Sequence, residues 1–356
     1  HSEDTVRAFC SHAVYRAGDF ADTVTYERVK EALTTFDDSL GQCTNKLYYL
    51  AVPPQFYSQI FTQIDEASLM DLCNADGSWS RLLVEKPFGH DLKTAQALEG
   101  ELCAHFAEEQ IYRIDHYLAK DAIENIIAVR FANTVFTDSW CAKDIESISV
   151  RLLETKDVAT RGSFYDGVGA LRDVGQNHIL QILALLTMPP TPAGDVTAMR
   201  HARAQMLSAL AAPTSIVRGQ YEGYRDTPGV DPDSVTETYF RLQTTLDDPN
   251  WQGVPITLEA GKALGEVVSE AVVTFRPSSS CDAATTSEPH AHRNVLTITF
   301  APEQTITFKM WVKKPGFTYE LQSQILELVH EPGADAHSPE AYERVLYDCI
   351  TGNQMR

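Results

Sequence analysis

IYRIDHYLAK, residues 111–120, is the stretch from which the chain is best read. Its first four residues, Ile111 to Ile114, have strand character, and the remaining six read as the first turn of a helix. The switch gathers Asp115, His116, Tyr117 and Lys120 within six positions. A strand that turns into a helix presents its connecting residues at the carboxyl edge of a sheet, where open α/β folds bind ligands. Helix N-termini favour anions. Tyr117 and Lys120, three apart, share a helix face on this reading. Two readings fit: a donor-rich cationic pocket suited to a phosphate dianion, or a solvated helix start with Asp115 as its cap.

Working backwards, Asp91 caps a helix through Phe106 with Leu92, Ala95, Leu98, Leu102 and Phe106 on one stripe. Before it, Arg81 to Glu85 (RLLVE) reads as a buried strand, and Lys86-Pro87-Phe88-Gly89 as a turn. Strand, helix, strand at this spacing is a βαβ unit and implies a parallel sheet. Asn45 to Val52 supplies another strand, ended by Pro53-Pro54. Tyr26 to Phe36 and Asp65 to Leu72 read as helices. No GxGxxG stands at a strand-to-helix turn, so a dinucleotide fingerprint would precede His1. The first residue is not Met, and both ends are expected to be internal to a longer protein.

Forward of Lys120, Leu118 to Phe131 reads as a helix, and then the period changes. Glu146 to Leu152 alternates, with Ile148, Val150 and Leu152 on one face. Residues 236–243, 254–258, 271–275, 295–300, 305–312 and 319–328 also read as strands. Residues 163–188, 197–211 and 339–351 read as helices, and 278–292 as a polar loop. Many strands joined by turns imply a mostly antiparallel sheet with helices on one face. The expected fold class is therefore α/β plus α+β. Residues 1–115 would be the remainder of a Rossmann-like doubly wound domain. Residues 116–356 would be an α+β substrate-binding and oligomerisation domain.

The formal net charge is −20, with 29 Lys and Arg against 49 Asp and Glu. Nonspecific nucleic-acid binding and adhesion to anionic membranes are disfavoured. Any phosphate site must come from a local cluster of Lys, Arg and His. Seven cysteines without a CxxC pair argue for reduced thiols in the cytosol, and against a zinc site or a disulfide framework. No apolar run has the length of a membrane span.

Other residues stand out for chemistry. RDVGQNH, 172–178, lies on an expected helix, with Asp173 and Asn177 four apart on one face and His178 a step round. An imidazole polar on one side and apolar on the other can be a tuned base, although a lone histidine is more often a satisfied core residue. Lys86 follows a buried strand, Glu154 ends an alternating one, and Lys262 follows a strand and a glycine. Taken alone, each reads first as an ordinary surface charge.

EKPFG (85–89), IYRIDHYLAK, VRFAN (129–133), RGSFYDGVGALRDVGQNHILQ (161–181), GVPITLEAGKAL (253–264), KKPG (313–316) and AYERVLYDCITGNQM (341–355) resemble the glucose-6-phosphate dehydrogenase family, in order and over nearly the whole chain. The resemblance implies oxidation of glucose 6-phosphate at C1 to 6-phosphoglucono-δ-lactone with hydride transfer to NADP, the entry to the oxidative pentose phosphate pathway. It implies no metal, a cytoplasmic location and a homodimer or homotetramer. His178 then matches the general base and Asp115 the carboxylate that holds it. His116, Tyr117 and Lys120 match phosphate-binding residues, and Glu154 and Asp173 acids that accept from sugar hydroxyls. Lys86 matches a lysine between sugar and nicotinamide, Lys262 one on the phosphate side, and Tyr57 a cofactor contact. The chain departs from the pattern at Ala119, where glycine is usual, and at Val267, where a second basic residue is expected. Val268 and Val272 replace the basic cluster of an extra structural NADP site. The alternative is a non-catalytic sugar-phosphate-binding regulatory subunit of the same fold.

Overall fold

A computed structural model describes residues 3–72, 77–115, 117–192, 194–277, 292–329 and 339–354. His116 and nearly all of the 278–292 stretch lie outside them. The contacts divide the chain into two compact units. One is His1–Ile114 with Cys349–Gly352, and the other is Asp115–Asp348 with Asn353–Arg356.

The first unit holds a parallel three-stranded sheet, β1 (Lys46–Leu50), β2 (Ser80–Val84) and β3 (Ile111–Arg113), in that order. β2 and β3 are joined through the helix Leu92–His105, the expected βαβ unit. Asp91 starts that helix by accepting from the Thr94 amide at 2.8 Å. Gly89 is in the left-handed region (φ 105°), and a Cβ there would lie 2.5 Å from the Ala95 backbone nitrogen. Only glycine fits so close an approach.

The expected helix over 65–72 is corrected. The helix is Tyr57–Glu66, followed by a short 3₁₀ turn at Leu69–Asp71. Tyr57, Ile60, Phe61 and Ile64 form its buried stripe, one that starts eight residues before Asp65. Asp65 does not cap a helix; its carboxylate meets His105 at 2.7 Å. Cys43 is disulfide-bonded, which corrects the expectation of uniformly reduced thiols.

The second unit is built on an eight-stranded sheet. Its strands are β4 (Ile145–Leu153), β5 (Ser215–Gly219), β6 (Tyr239–Thr244), β7 (Ile256–Gly261), β8 (Val268–Phe275), β9 (Val295–Ala301), β10 (Thr305–Lys313) and β11 (Leu321–Val329). The order is β11-β10-β9-β8-β4-β7-β6-β5, and every neighbouring pair is antiparallel except β4 and β7. β5, exposed along most of its length, is a strand that sequence reasoning misses. Ile148, Val150 and Leu152 face a core shared with Ile126, Ile182, Leu183 and Leu186 from helices. β8 alternates strictly between buried and half-buried positions, the period of a strand with one face covered.

The helix expected over 163–188 is three pieces: a short α-helix Gly162–Tyr165, a nine-residue π-helix Leu171–Ile179 and an α-helix Leu180–Thr187. Glycines Gly167 and Gly169, at φ 83° and 77°, break the first from the second. No helix among the described residues is long and apolar enough to cross a membrane.

Candidate active site

Asp115 follows β3 and closes a turn rather than starting a helix. Its carboxylate accepts from the Tyr117 amide at 2.9 Å and its carbonyl from the Leu118 amide at 3.0 Å. The helix begins later, at Asp121. Tyr117 and Lys120 therefore share a turn, not a helix face. They meet nonetheless: the Lys120 ammonium lies 3.8 Å from the centre of the Tyr117 ring. Burial lowers the Lys120 pKa, while Asp115 and Glu154 pull it back up.

His178 comes to this turn from the π-helix. Its Nδ1 stands 2.9 Å from Asp115 Oδ1, without the alignment of a straight hydrogen bond. Such bonds often tighten only when substrate is present. The imidazole is 3% exposed and stacks on Tyr117, centroids 3.9 Å apart and planes 22° apart. The reading of His178 as a satisfied core residue accounts for the burial but misses the carboxylate.

The helix expected over this motif is wound more widely than an α-helix, as a π-helix closed by i→i+5 bonds. Asn177 accepts from the His178 amide. Gly175 lets the helix press on β6: a Cβ there would lie 2.7 Å from Phe240 Cζ.

Glu154 and Lys262 are partners. The ammonium is 3.0 and 3.1 Å from the two carboxylate oxygens, placed by the parallel pairing Leu153↔Gly261 at the ends of β4 and β7. Burial pushes the Tyr117 phenol up, and Glu154, Asp115 and Asp173 add to the rise, to about 12. The site thus carries three carboxylates and two ammonium groups around one buried imidazole.

In the other unit, Lys86 lies just past the carboxyl end of β2. Tyr57 is fully buried, and its hydroxyl donates to the Glu85 carbonyl at 2.9 Å. That bond steadies the backbone beside Lys86. In the same unit, Glu99, Cys103 and Glu108 are close enough to hold a metal ion. Arg113 already bonds both glutamates, and burial and Glu99 raise the thiol.

Three residues escape sequence reasoning. Glu237 accepts from the Leu171 amide at 3.1 Å, and its carbonyl accepts from the Ala170 amide, so it caps the π-helix from outside. No local pattern announces a cap 66 residues away. Tyr165 is buried, its hydroxyl lacks a partner among the described residues, and the Lys262 ammonium is 5.9 Å from its ring. Its place inside the 161–181 motif is the available signal. Arg203 reaches Gln181 at 3.3 Å and acts electrostatically on Asp115.

Asp166 anchors the loop before the π-helix. It accepts from the Ser234 hydroxyl, the Asp231 amide (3.0 Å) and the Tyr224 hydroxyl (3.3 Å). These bonds, Ser234 first, hold its carboxyl below the ordinary aspartate value. A depressed carboxylate contributes stability above its unfolded pKa and loses it as pH falls through the folded value. Asp166→Asn should therefore lower the urea midpoint near pH 7, and its gap to the parent should narrow as pH falls below the ordinary aspartate value of about 4. A gap constant across that range would remove Asp166 from the acid response.

Comparison with known proteins gives the family. Residues 1–125 match the family model for the glucose-6-phosphate dehydrogenase NAD binding domain, and residues 127–356 that for its C-terminal domain. The chain belongs to the glucose-6-phosphate dehydrogenase family. It is 34% identical to the glucose-6-phosphate 1-dehydrogenases of Chlamydia pneumoniae and Bacillus subtilis. In each case 97% of this chain is covered, with 71% and 73% of the relative. Among solved structures it matches a glucose-6-phosphate dehydrogenase in complex with glucose 6-phosphate, at TM-score 0.90 and 32% identity, over 99% of this chain and 73% of that one. A Mycobacterium avium glucose-6-phosphate 1-dehydrogenase matches at TM-score 0.86 and 32% identity, over 100% and 74%. The parallel sheet of the first unit and the large mixed sheet of the second are this family's fold.

Proposed function

We propose that the protein is a glucose-6-phosphate dehydrogenase that oxidises C1 of glucose 6-phosphate to 6-phosphoglucono-δ-lactone and uses NADP as acceptor. The observation that carries this reading is the buried His178 facing the Asp115 carboxylate, with Tyr117 and Lys120 beside it. Asp115 faces Nδ1, so Nε2 is the nitrogen left for substrate. It takes the proton of the C1 hydroxyl, while the C1–H electron pair leaves as hydride and the C1–O bond becomes a carbonyl. Asp115 orients the ring and offsets the charge it gains. The nicotinamide, when bound, supplies the hydride acceptor.

The remaining roles follow the charges. His116, Tyr117 and Lys120 bind the phosphate, and Lys262 adds charge on that side. Glu154 and Asp173 accept from sugar hydroxyls, and the Glu154–Lys262 pair fixes both groups before substrate arrives. In the first unit the parallel strand ends and Lys86 are of the type that receives a dinucleotide. Lys86 is assigned to the cofactor and the sugar, and Tyr57 to the cofactor, with its hydroxyl held by the Glu85 carbonyl beside Lys86. Residues 1–115 would thus be the remainder of the cofactor domain and 116–356 the substrate and oligomerisation domain. A homodimer or homotetramer is part of the proposal, supported by exposed Ile325, Leu326 and Leu328 on β11. A cytoplasmic location is proposed from the metabolic role alone, since the Cys43 disulfide counts against the thiol argument.

The test is reduction of NADP by the full-length protein, followed by absorbance, with glucose 6-phosphate, galactose 6-phosphate and glucose. Rapid turnover with the first alone is expected. Binding of glucose 6-phosphate without turnover would replace the enzyme by the sugar-phosphate-binding subunit, a reading that no contact in the site favours. NAD in place of NADP would overturn the cofactor assignment only.

A further inference from the structure

The Tyr117 hydroxyl suffices for a phosphate contact, but its ring makes two contacts which that role does not need. The His178 ring centre lies 3.9 Å from the Tyr117 centre, and the Lys120 ammonium 3.8 Å from it. Two groups so near one ring centre would collide on a single face. The Tyr117 ring is therefore a layer between the ammonium and the imidazole.

We propose that the face of the Tyr117 ring stabilises the imidazolium that His178 becomes on taking the substrate proton, which makes Tyr117 a positioning residue for the base. The inference rests on reading His178 as that base. An aromatic face carries negative charge and attracts a cation, more strongly where water is excluded. His178 is 3% exposed, so the contact is dry. A neutral imidazole gains little from it and a protonated one gains much. The stabilisation therefore appears as the proton moves, which is when it lowers a barrier. Lys120 holds the ring from behind and draws on the same electron density. A substrate phosphate that neutralises Lys120 leaves that density to His178, so phosphate binding strengthens the base.

The other charges around the imidazole act in the background. Asp115 faces Nδ1, and Asp173 lies on the same helix. Glu154, tied to Lys262, and Asp173 act on the Tyr117 phenol, while Arg203, itself repelled by Arg200, acts on Asp115. Tyr165 shares the influence of Asp173 and Glu154. The phenol, raised to about 12, is neutral across the working range, so the ring's charge is constant there.

The experiment compares Tyr117→Phe with Tyr117→Leu in the full-length protein. The His178 imidazole is titrated by NMR without substrate or cofactor, and kcat and KM are then measured against pH. The Phe variant keeps the ring: its imidazole midpoint should match the parent while KM for glucose 6-phosphate rises. The Leu variant should lower the midpoint by roughly 0.5–1.5 pH units, move the acid limb of kcat/KM by the same amount and reduce kcat. Pentafluorophenylalanine at position 117 keeps the shape but drains the face of charge, and should reproduce the Leu shift even if the Leu variant does not fold. A midpoint unmoved by loss or fluorination of the ring, or moved as far by Phe as by Leu, would overturn the proposal. The titration needs no turnover, so its result stands apart from the outcome of the substrate assay.

Discussion

Replacement of His178 by Asn is expected to lower kcat by about 10²–10⁴-fold, the usual contribution of a positioned general base. Asparagine is polar and smaller, so it keeps a donor for Asp115 at the end of the π-helix without overfilling a site that is 3% exposed. What it lacks is a nitrogen that takes a proton. KM for glucose 6-phosphate should change little, because phosphate and hydroxyl contacts belong to other side chains. A fall in kcat with KM held marks an interaction made chiefly in the transition state. Steady-state NADPH production by the full-length variant, with circular dichroism as a check on folding, measures both. An unchanged kcat would remove His178 from the chemistry.

Phe240→Ala should cost about 3–5 kcal/mol of stability, the range for truncating a fully buried aromatic residue. Phe240 is 1% exposed on β6 and forms the floor on which Gly175 of the π-helix rests. It also lines a cavity of about 150 Å³ with Leu171, Leu180, Leu210, Leu242 and Leu258. Removing the ring enlarges that void, whose walls are mostly apolar, with Gln176 and Thr244 as the polar side chains among them. The π-helix carries His178, so activity should fall as well, before the protein unfolds. Urea unfolding followed by circular dichroism gives the first effect and kcat at low denaturant the second. A loss below about 1 kcal/mol would mean that the neighbouring leucines close the gap.

Several parts of this fold can be read directly from residue order. The βαβ unit around Asp91 is visible because a capping Asp, an apolar stripe and two short buried runs agree with one another. β8 and β9 are visible because their burial alternates. β5 is not, because nearly every position in SIVRG is exposed and carries no period. The helix Tyr57–Glu66 is misplaced by sequence reasoning because Pro53-Pro54 suggests a loop, whereas Pro also opens helices.

In the site, residue types are legible and geometry is not. Asp115 and His178 stand 63 positions apart, and nothing in their spacing brings them to 2.9 Å. The Glu154–Lys262 pair depends on the one parallel pairing in the large sheet, a long-range choice that no local pattern encodes. The turn at 117–120 passes for a helix because Tyr117 and Lys120 meet in either geometry.

The π-helix at Leu171–Ile179 makes this segment sensitive to its length in a way that composition does not show. Removing one residue between Leu171 and Asn177 would let the backbone tighten to ordinary α geometry, and the shortened segment would turn about as far as the wide one does. The flanking helix would keep its register, but the wide turn that seats His178 against Asp115 and the Tyr117 face would be gone. Most single substitutions here would cost packing, whereas a one-codon deletion would erase that turn and leave a well-formed helix behind.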